Sequence, residues 1–179
     1  MHKFIIIILL FFSNCIYSQS YLGIITKQVN FREGSGSNYE IICSLKPNTQ
    51  IFISSLNTDG DFYNIIDIKT NKEGYVHKSY VKVGQIVSKS NESVFTPNGE
   101  TSTYESEIKI HNNTAITLTL KMNADLYYFN PQETKNISIT PGEYDFRASA
   151  PGVIPNFGTE RLKSNQSYSW EFYIRTSYR

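Results

Sequence analysis

Cysteine is scarce in this sequence. The 179 residues include only two cysteines, Cys15 and Cys43. If Cys15 is removed with an N-terminal signal, as argued below, Cys43 remains alone and no intramolecular disulfide bond can form. A small exported domain without disulfides depends on its core for stability. The 13 Tyr and 11 Phe residues supply much of the apolar surface that such a core needs.

An excess of charge of either sign is also lacking. Loss of residues 1–18 would remove Lys3 and leave 16 basic against 16 acidic side chains. Proteins that bind nucleic acid normally carry a basic stripe, because contacts with phosphates supply most of their non-specific affinity. We therefore expect no nucleic-acid partner.

The sequence contains only one long hydrophobic run. Residues 4–12 form an apolar stretch of nine residues after Lys3, which is far shorter than the roughly 20 residues of a spanning helix. The stretch has the length of a secretory h-region, and Ser18 is a small residue suited to cleavage before Gln19. We therefore predict a signal peptide over residues 1–18 and no transmembrane helix in the mature chain.

Cys15 offers a second route for processing, namely cleavage before it and attachment of lipid to its thiol. A lipobox requires a small residue just before the cysteine, and Asn14 fits this requirement poorly. We therefore favour export without lipid, to the periplasm or the extracellular space, over a lipoprotein anchored through Cys15.

Amphipathic helical patterns are missing from the remaining sequence, and short alternating runs replace them. Residues 39–45, 51–53 and 62–68 read as strands, with turn residues such as Pro47 and Gly60 between them. Strands at this spacing predict an all-β fold, with a small β-barrel over residues 21–83.

Two motifs in this segment carry a family resemblance. Asn30, Arg32 and Gly34 form an N-x-R-x-G pattern, and residues 74–81 read GYVHKSYV. Together with the intervening strands, these motifs resemble the bacterial SH3 (SH3b) domain family over residues 21–83. The resemblance implies a shallow groove between loops in which a peptide lies, such as a stem peptide or cross-bridge of the cell wall.

Aromatic side chains are the candidate ligand contacts of such a groove. Phe62 stands where the family usually has Trp, a departure that preserves packing but bears on ligand recognition. Packing in the core or at its rim is the alternative role for each aromatic residue. The candidate ligand-binding residues are Tyr39, Phe62, Tyr63, Tyr75 and Tyr80.

The second half of the chain has its own β pattern. Residues 84–105 are rich in Ser, Asn, Thr and Glu, which predicts a linker. Residues 106–179 alternate again, as in Ile116, Leu118 and Leu120, which predicts a small β-sandwich. This half resembles the PEGA-like or immunoglobulin-like modules of bacterial envelope proteins, a likeness from which we transfer no function.

Catalytic and metal sites have little support in the sequence. A nucleophilic cysteine needs a positioned base, and only His77 and His111 accompany Cys43 in the mature chain. Asp59 and Asp61 lack a further acidic ligand at the spacing of a calcium loop. We expect no enzyme activity, no cofactor and no metal.

These observations predict an exported, non-catalytic protein that engages the cell envelope through its SH3b-like domain. Its partner would be the peptide of peptidoglycan or an envelope protein. A structural accessory subunit of an envelope complex is the alternative, and a cell-wall hydrolase is the third hypothesis. The ligand, the oligomeric state and the role of the C-terminal half are not specified by the sequence.

We predict that the mature protein begins at Gln19, because the apolar stretch and Ser18 match a signal peptidase site. Intact-mass spectrometry of the native protein checks this expectation. The mass of a diacylglycerol group on Cys15 would contradict it and would place the protein on a membrane.

Overall fold

A computed structural model describes residues 19–90 and 92–174. The predicted signal peptide and Cys15 lie outside the described residues. The described part contains 15 β-strands and one 3-10 helix of a single turn, which confirms the all-β prediction. Within those same ranges, no helix is long and apolar enough to cross a membrane.

Seven antiparallel strands form the first sheet, in the order β3-β2-β6-β5-β4-β1-β7. All seven contribute side chains to, or pack against, one apolar cluster that includes the fully buried Ile25, Phe31 and Val76. Because one cluster is shared by every strand, the sheet must curl around it. The elements are β1 (Ser20–Ile25), β2 (Val29–Arg32), β3 (Ile41–Leu45), β4 (Gln50–Ile53), β5 (Phe62–Asp67), β6 (Lys72–His77), the 3-10 helix (Lys78–Tyr80) and β7 (Val81–Val87).

Gly74 allows β2 and β6 to approach each other inside this sheet. The two strands share only one aligned residue pair, Arg32 with Tyr75. A Cβ atom at Gly74 would lie 2.5 Å from the backbone oxygen of Arg32 and 2.7 Å from Phe31. Glycine is therefore required where the backbones of β2 and β6 approach closely.

The second half folds into two four-stranded sheets, as expected for a β-sandwich. Their orders are β11-β10-β13-β14 and β12-β9-β15-β8, and β9 runs parallel to β15. Buried side chains from both sheets, among them Ile110, Leu120 and Phe146, form one core between them. The strands are β8 (Thr96–Glu100), β9 (Ser106–Asn112), β10 (Leu118–Met122), β11 (Asp125–Phe129), β12 (Thr134–Ile139), β13 (Gly142–Ser149), β14 (Asn156–Leu162) and β15 (Gln166–Phe172).

The predicted linker, residues 84–105, is structured over much of its length. β7 extends into it, β8 pairs with β15 inside it, and Phe95 is buried in the second core. The polar composition predicted a linker here, but β8 is an edge strand, and all five of its residues are exposed. Such a strand is held by backbone hydrogen bonds and needs no apolar residues of its own. The division of the chain into two domains stays a prediction.

The two halves share an apolar contact. Phe52, Ile66 and Ile68 on the outer face of the first sheet pack with Phe157 of β14. The rings of Phe52 and Phe157 meet edge to face, with centroids 5.6 Å apart. Beside them, the backbone N–H of Gly152 donates a hydrogen bond to the carbonyl of Ile68 at 2.7 Å.

A group of charged side chains lies at the same contact. Arg147 of β13 donates hydrogen bonds to both carboxylate oxygens of Glu73 in β6, at 2.5 and 3.4 Å, and Lys121 lies 3.5 Å away. Burial by itself would raise the pKa of Glu73. The hydrogen bond and charge of Arg147, aided by Lys121, outweigh burial and hold that pKa below its ordinary value.

We expect Glu73→Gln to lower the free energy of unfolding at neutral pH by about 1–2 kcal/mol, because Arg147 loses its charged partner. Glu73 has a lowered pKa in the folded state, so its contribution is present above the ordinary value of 4.5 and is lost as the pH falls through the folded pKa. Denaturant unfolding should therefore show a parent–variant difference at pH 7 that shrinks by pH 3. Glu143→Gln changes an exposed residue and serves as the control. A difference that stays constant over this pH range would contradict the expectation.

We predict that limited chymotrypsin digestion cuts first after Tyr104. This side chain is 66% exposed and lies in the loop between β8 and β9. Because β8 remains paired with β15, the nicked halves should co-elute in native gel filtration and separate on a denaturing gel. A Tyr104→Ser variant should resist this cut. Earlier cleavage inside either sheet would contradict the predicted boundary.

Candidate functional site

A groove of about 610 Å³ lies on the first sheet. Its volume falls within the roughly 300–1,000 Å³ typical of ligand sites. The groove is bordered by β2, by the end of β6 and by the 3-10 helix that follows it. Its lining residues are Gln28, Val29, Asn30, Arg32, Ser37, Ser44, Phe62, His77, Ser79 and Tyr80.

Polar side chains enter the groove from β2 and its approach. Phe31 is fully buried on the inner face of the sheet, so Asn30 and Arg32 point to the outer face. Gln28 follows the same alternation, and its Nε2 donates a hydrogen bond to Oγ of Ser44 at 3.1 Å. One side of the groove therefore presents a row of amide and hydroxyl groups with one guanidinium.

Three rings form the second part of the groove. Phe62 and His77 are aligned across β5 and β6, with ring centroids 5.3 Å apart, and the ring of Tyr80 lies 6.1 Å from that of His77. Both pairs are edge to face, an arrangement in which the positive ring edge meets the negative ring face. Tyr80 also packs against the core of the first sheet, and this contact holds its ring in position.

The orientation of the His77 ring follows from its hydrogen bonds. The backbone N–H of Ser79 donates to Nδ1 of His77 at 3.3 Å, and Oγ of Ser79 lies 2.8 Å from the same nitrogen. A backbone N–H can only donate, so Nδ1 is the acceptor and the proton of the neutral ring lies on Nε2. In the described part of the chain, that Nε2–H has no hydrogen-bond acceptor.

The 3-10 helix is tied to the start of β5. Nζ of Lys78 lies 2.8 Å from a carboxylate oxygen of Asp61, and the backbone N–H of Lys78 donates to the Asp61 carbonyl at 2.8 Å. The hydrogen bond from Lys78 lowers the pKa of Asp61 and raises the pKa of Lys78. These contacts position the helix that carries Ser79 and Tyr80 beside the groove.

The predicted ligand contacts occupy different places. Phe62 and Tyr80 line the groove, whereas Tyr63 packs against the core. Tyr75 shares the outer face with His77 and is aligned with Arg32 and Asn64, outside the groove lining. Tyr39 is 48% exposed and its ring covers Gly34. A role in ligand binding stays a prediction for all five.

Arg32 and His77 were not among the predicted site residues, although both belong to the motifs that suggested the family. The alternation of β2 could have placed Arg32 on the outer face. The position of His77 depends on the alignment of β5 with β6, which pairs it with Phe62 across the sheet.

The residues considered for chemistry lie elsewhere. Cys43 is half-buried and packs against the first core rather than lining the groove. Across residues 19–90 and 92–174, no group of three or more His, Cys, Asp or Glu side chains is placed to hold a metal ion.

Two of the other depressions in the described residues lie away from the residues of both motifs. One of about 310 Å³ runs between β1, β7 and Ile154, and its lining is almost entirely apolar. The other, of about 670 Å³, lies beside β15 in the second half. The groove on β2 differs from the apolar depression in combining rings with several polar groups, as sites that orient a ligand do.

The segment that carries this groove is a small all-β domain. The family model described as bacterial SH3 domain matches residues 27–82, from just before β2 into β7, and includes every residue that lines the groove. The chain thus contains a bacterial SH3 domain, which confirms the resemblance. No curated protein and no solved structure matches the chain. A bacterial SH3 domain suggests a role in binding the cell wall or peptidoglycan, and such domains are often periplasmic or extracellular.

Proposed function

We propose that this protein is an exported, non-catalytic binding protein whose SH3 domain holds a peptide of peptidoglycan in the groove on β2. The observation that carries the proposal is the combination of three rings with a row of amide and hydroxyl groups in one groove of the family-matched segment.

An extended peptide suits this combination of groups. Alternate residues of a strand lie about 6.6–6.8 Å apart, which is also the repeat of an extended ligand chain. The side chains of Gln28, Asn30 and Arg32 follow this spacing along the groove. Amide groups can donate to and accept from a peptide backbone, while Phe62 and Tyr80 offer apolar contact to its side chains.

Two observations support a binding role without catalysis. Cys43 packs with the core and stands apart from the groove lining, so it is poorly placed to attack a ligand there. His77 uses Nδ1 to receive the Ser79 N–H, which suits a fixed ring that contacts a ligand.

Export is part of the proposal and is supported by the sequence of residues 1–18, with their basic start, short apolar stretch and small residue at position 18. A periplasmic or extracellular location would bring the domain to peptidoglycan. A structural accessory role, in which the same groove binds an envelope protein, is the alternative that the experiment below separates.

We expect Phe62→Ala and Tyr80→Ala each to weaken binding to purified sacculi by roughly tenfold to a hundredfold, because one aromatic contact contributes about 1–3 kcal/mol to binding. The measurement is a co-sedimentation titration, with melting curves to verify that each variant is folded.

The matched control is Tyr104→Ala, which removes an exposed ring far from the SH3 sequence and should leave binding unchanged. Folded Phe62 and Tyr80 variants that sediment like the parent would exclude the groove. A different result would be a parent protein that fails to bind sacculi and crosslinks to an envelope protein through the groove. That result would refute peptidoglycan binding and support the structural accessory role.

A further inference from the structure

The charge in the groove is confined to one side chain. Arg32 is the only Lys or Arg among the lining residues, and no Asp or Glu is among them. On the neighbouring elements, Asp61 and Lys78 are paired with each other. The carboxylates beside Arg32 belong to Glu33 and Glu40, which are exposed residues. The lining itself therefore offers a ligand one positive charge among neutral polar groups.

Arg32 is held in place while most of its hydrogen-bonding capacity remains unused. Its Nη1 donates to the backbone carbonyl of Tyr39 at 2.7 Å, which fixes the direction of the side chain. A guanidinium carries five N–H donors. Arg32 makes no ion pair within the described ranges, and the exposed Glu33 and Glu40 beside it do not bridge to it.

His77 supplies a second donor to the same groove. Because Nδ1 accepts from Ser79, the Nε2–H remains available to a ligand atom. The packing of the ring between Phe62 and Tyr80 fixes its direction before a ligand arrives. A fixed guanidinium and a fixed imidazole N–H together match a group that only accepts hydrogen bonds and carries a negative charge.

We propose that the groove selects a peptide that bears a carboxylate, with Arg32 as the residue that binds this carboxylate and His77 as a supporting donor. The inference rests on the proposed function and adds the chemical feature that the site recognises. A single guanidinium suits one carboxylate. A phosphate polymer would call for several cations, and the lining holds one.

The experiment compares two forms of one ligand. A soluble stem tetrapeptide with free carboxylates and the same peptide with every carboxylate amidated are titrated into the protein by calorimetry. We expect amidation to weaken binding about tenfold to a hundredfold, because hydrogen bonds to a charged group are stronger than those to a neutral amide.

The same titrations are repeated with the Arg32→Gln variant. This variant should bind both peptides equally weakly, and so lose the preference for the peptide with free carboxylates. Arg32→Lys should keep part of the preference, because it retains the charge but not the planar fork. Arg161→Gln removes an exposed arginine of the second half and should behave like the parent. Loss of the Tyr39 hydrogen bond could destabilise the Arg32 variants, but the comparison of the two peptides needs no variant.

Each remaining outcome decides a different question. If the parent binds the amidated and the acid peptide equally well, recognition of a carboxylate is refuted while the peptide-binding groove stands. If the parent binds neither peptide, the proposed function fails and this inference fails with it. A preference for the acid that persists in Arg32→Gln would assign the carboxylate to another residue.

Discussion

The alternation of side chains along β2 is the constraint on which the rest of the first domain depends. Phe31 is fully buried in the core. Because side chains alternate along a strand, Asn30 and Arg32 then lie on the opposite, outer face. A slip of one residue would expose the phenylalanine ring and bury a guanidinium. The same physical requirement therefore fixes the core and places polar groups in the groove.

The outer face of the first sheet is divided between two uses. Phe62 and Ile66 share one face of β5, and Ile68, just after the strand, continues that face by the period of two. Ile66 and Ile68 pack with Phe157 of the second half, while Phe62 lines the groove. The second half thus covers the apolar end of this face, which would otherwise remain exposed, and leaves the ring-lined end open to a ligand.

Charge is distributed in a corresponding way. At the contact between the halves, Arg147 is largely buried and is matched by the carboxylate of Glu73, as a desolvated cation requires. In the groove, Arg32 donates to a backbone carbonyl, and no carboxylate in residues 19–90 and 92–174 forms an ion pair with it. The first arginine stabilises the contact of the two halves, whereas the second retains donors that a ligand can use.

The β class and the resemblance of residues 21–83 to a bacterial SH3 domain could be predicted from the sequence, because a period of two and turn residues act over a few positions. The sequence also indicated Phe62 and Tyr80. Three features emerge only from the folded chain: the polar β8 joins a sheet, Tyr63 packs inward, and Arg32 and His77 line one groove. These facts depend on pairing between distant strands. Which strands pair depends on contacts between residues far apart in the chain, such as the approach of Gly74 to Arg32, and no local pattern encodes it.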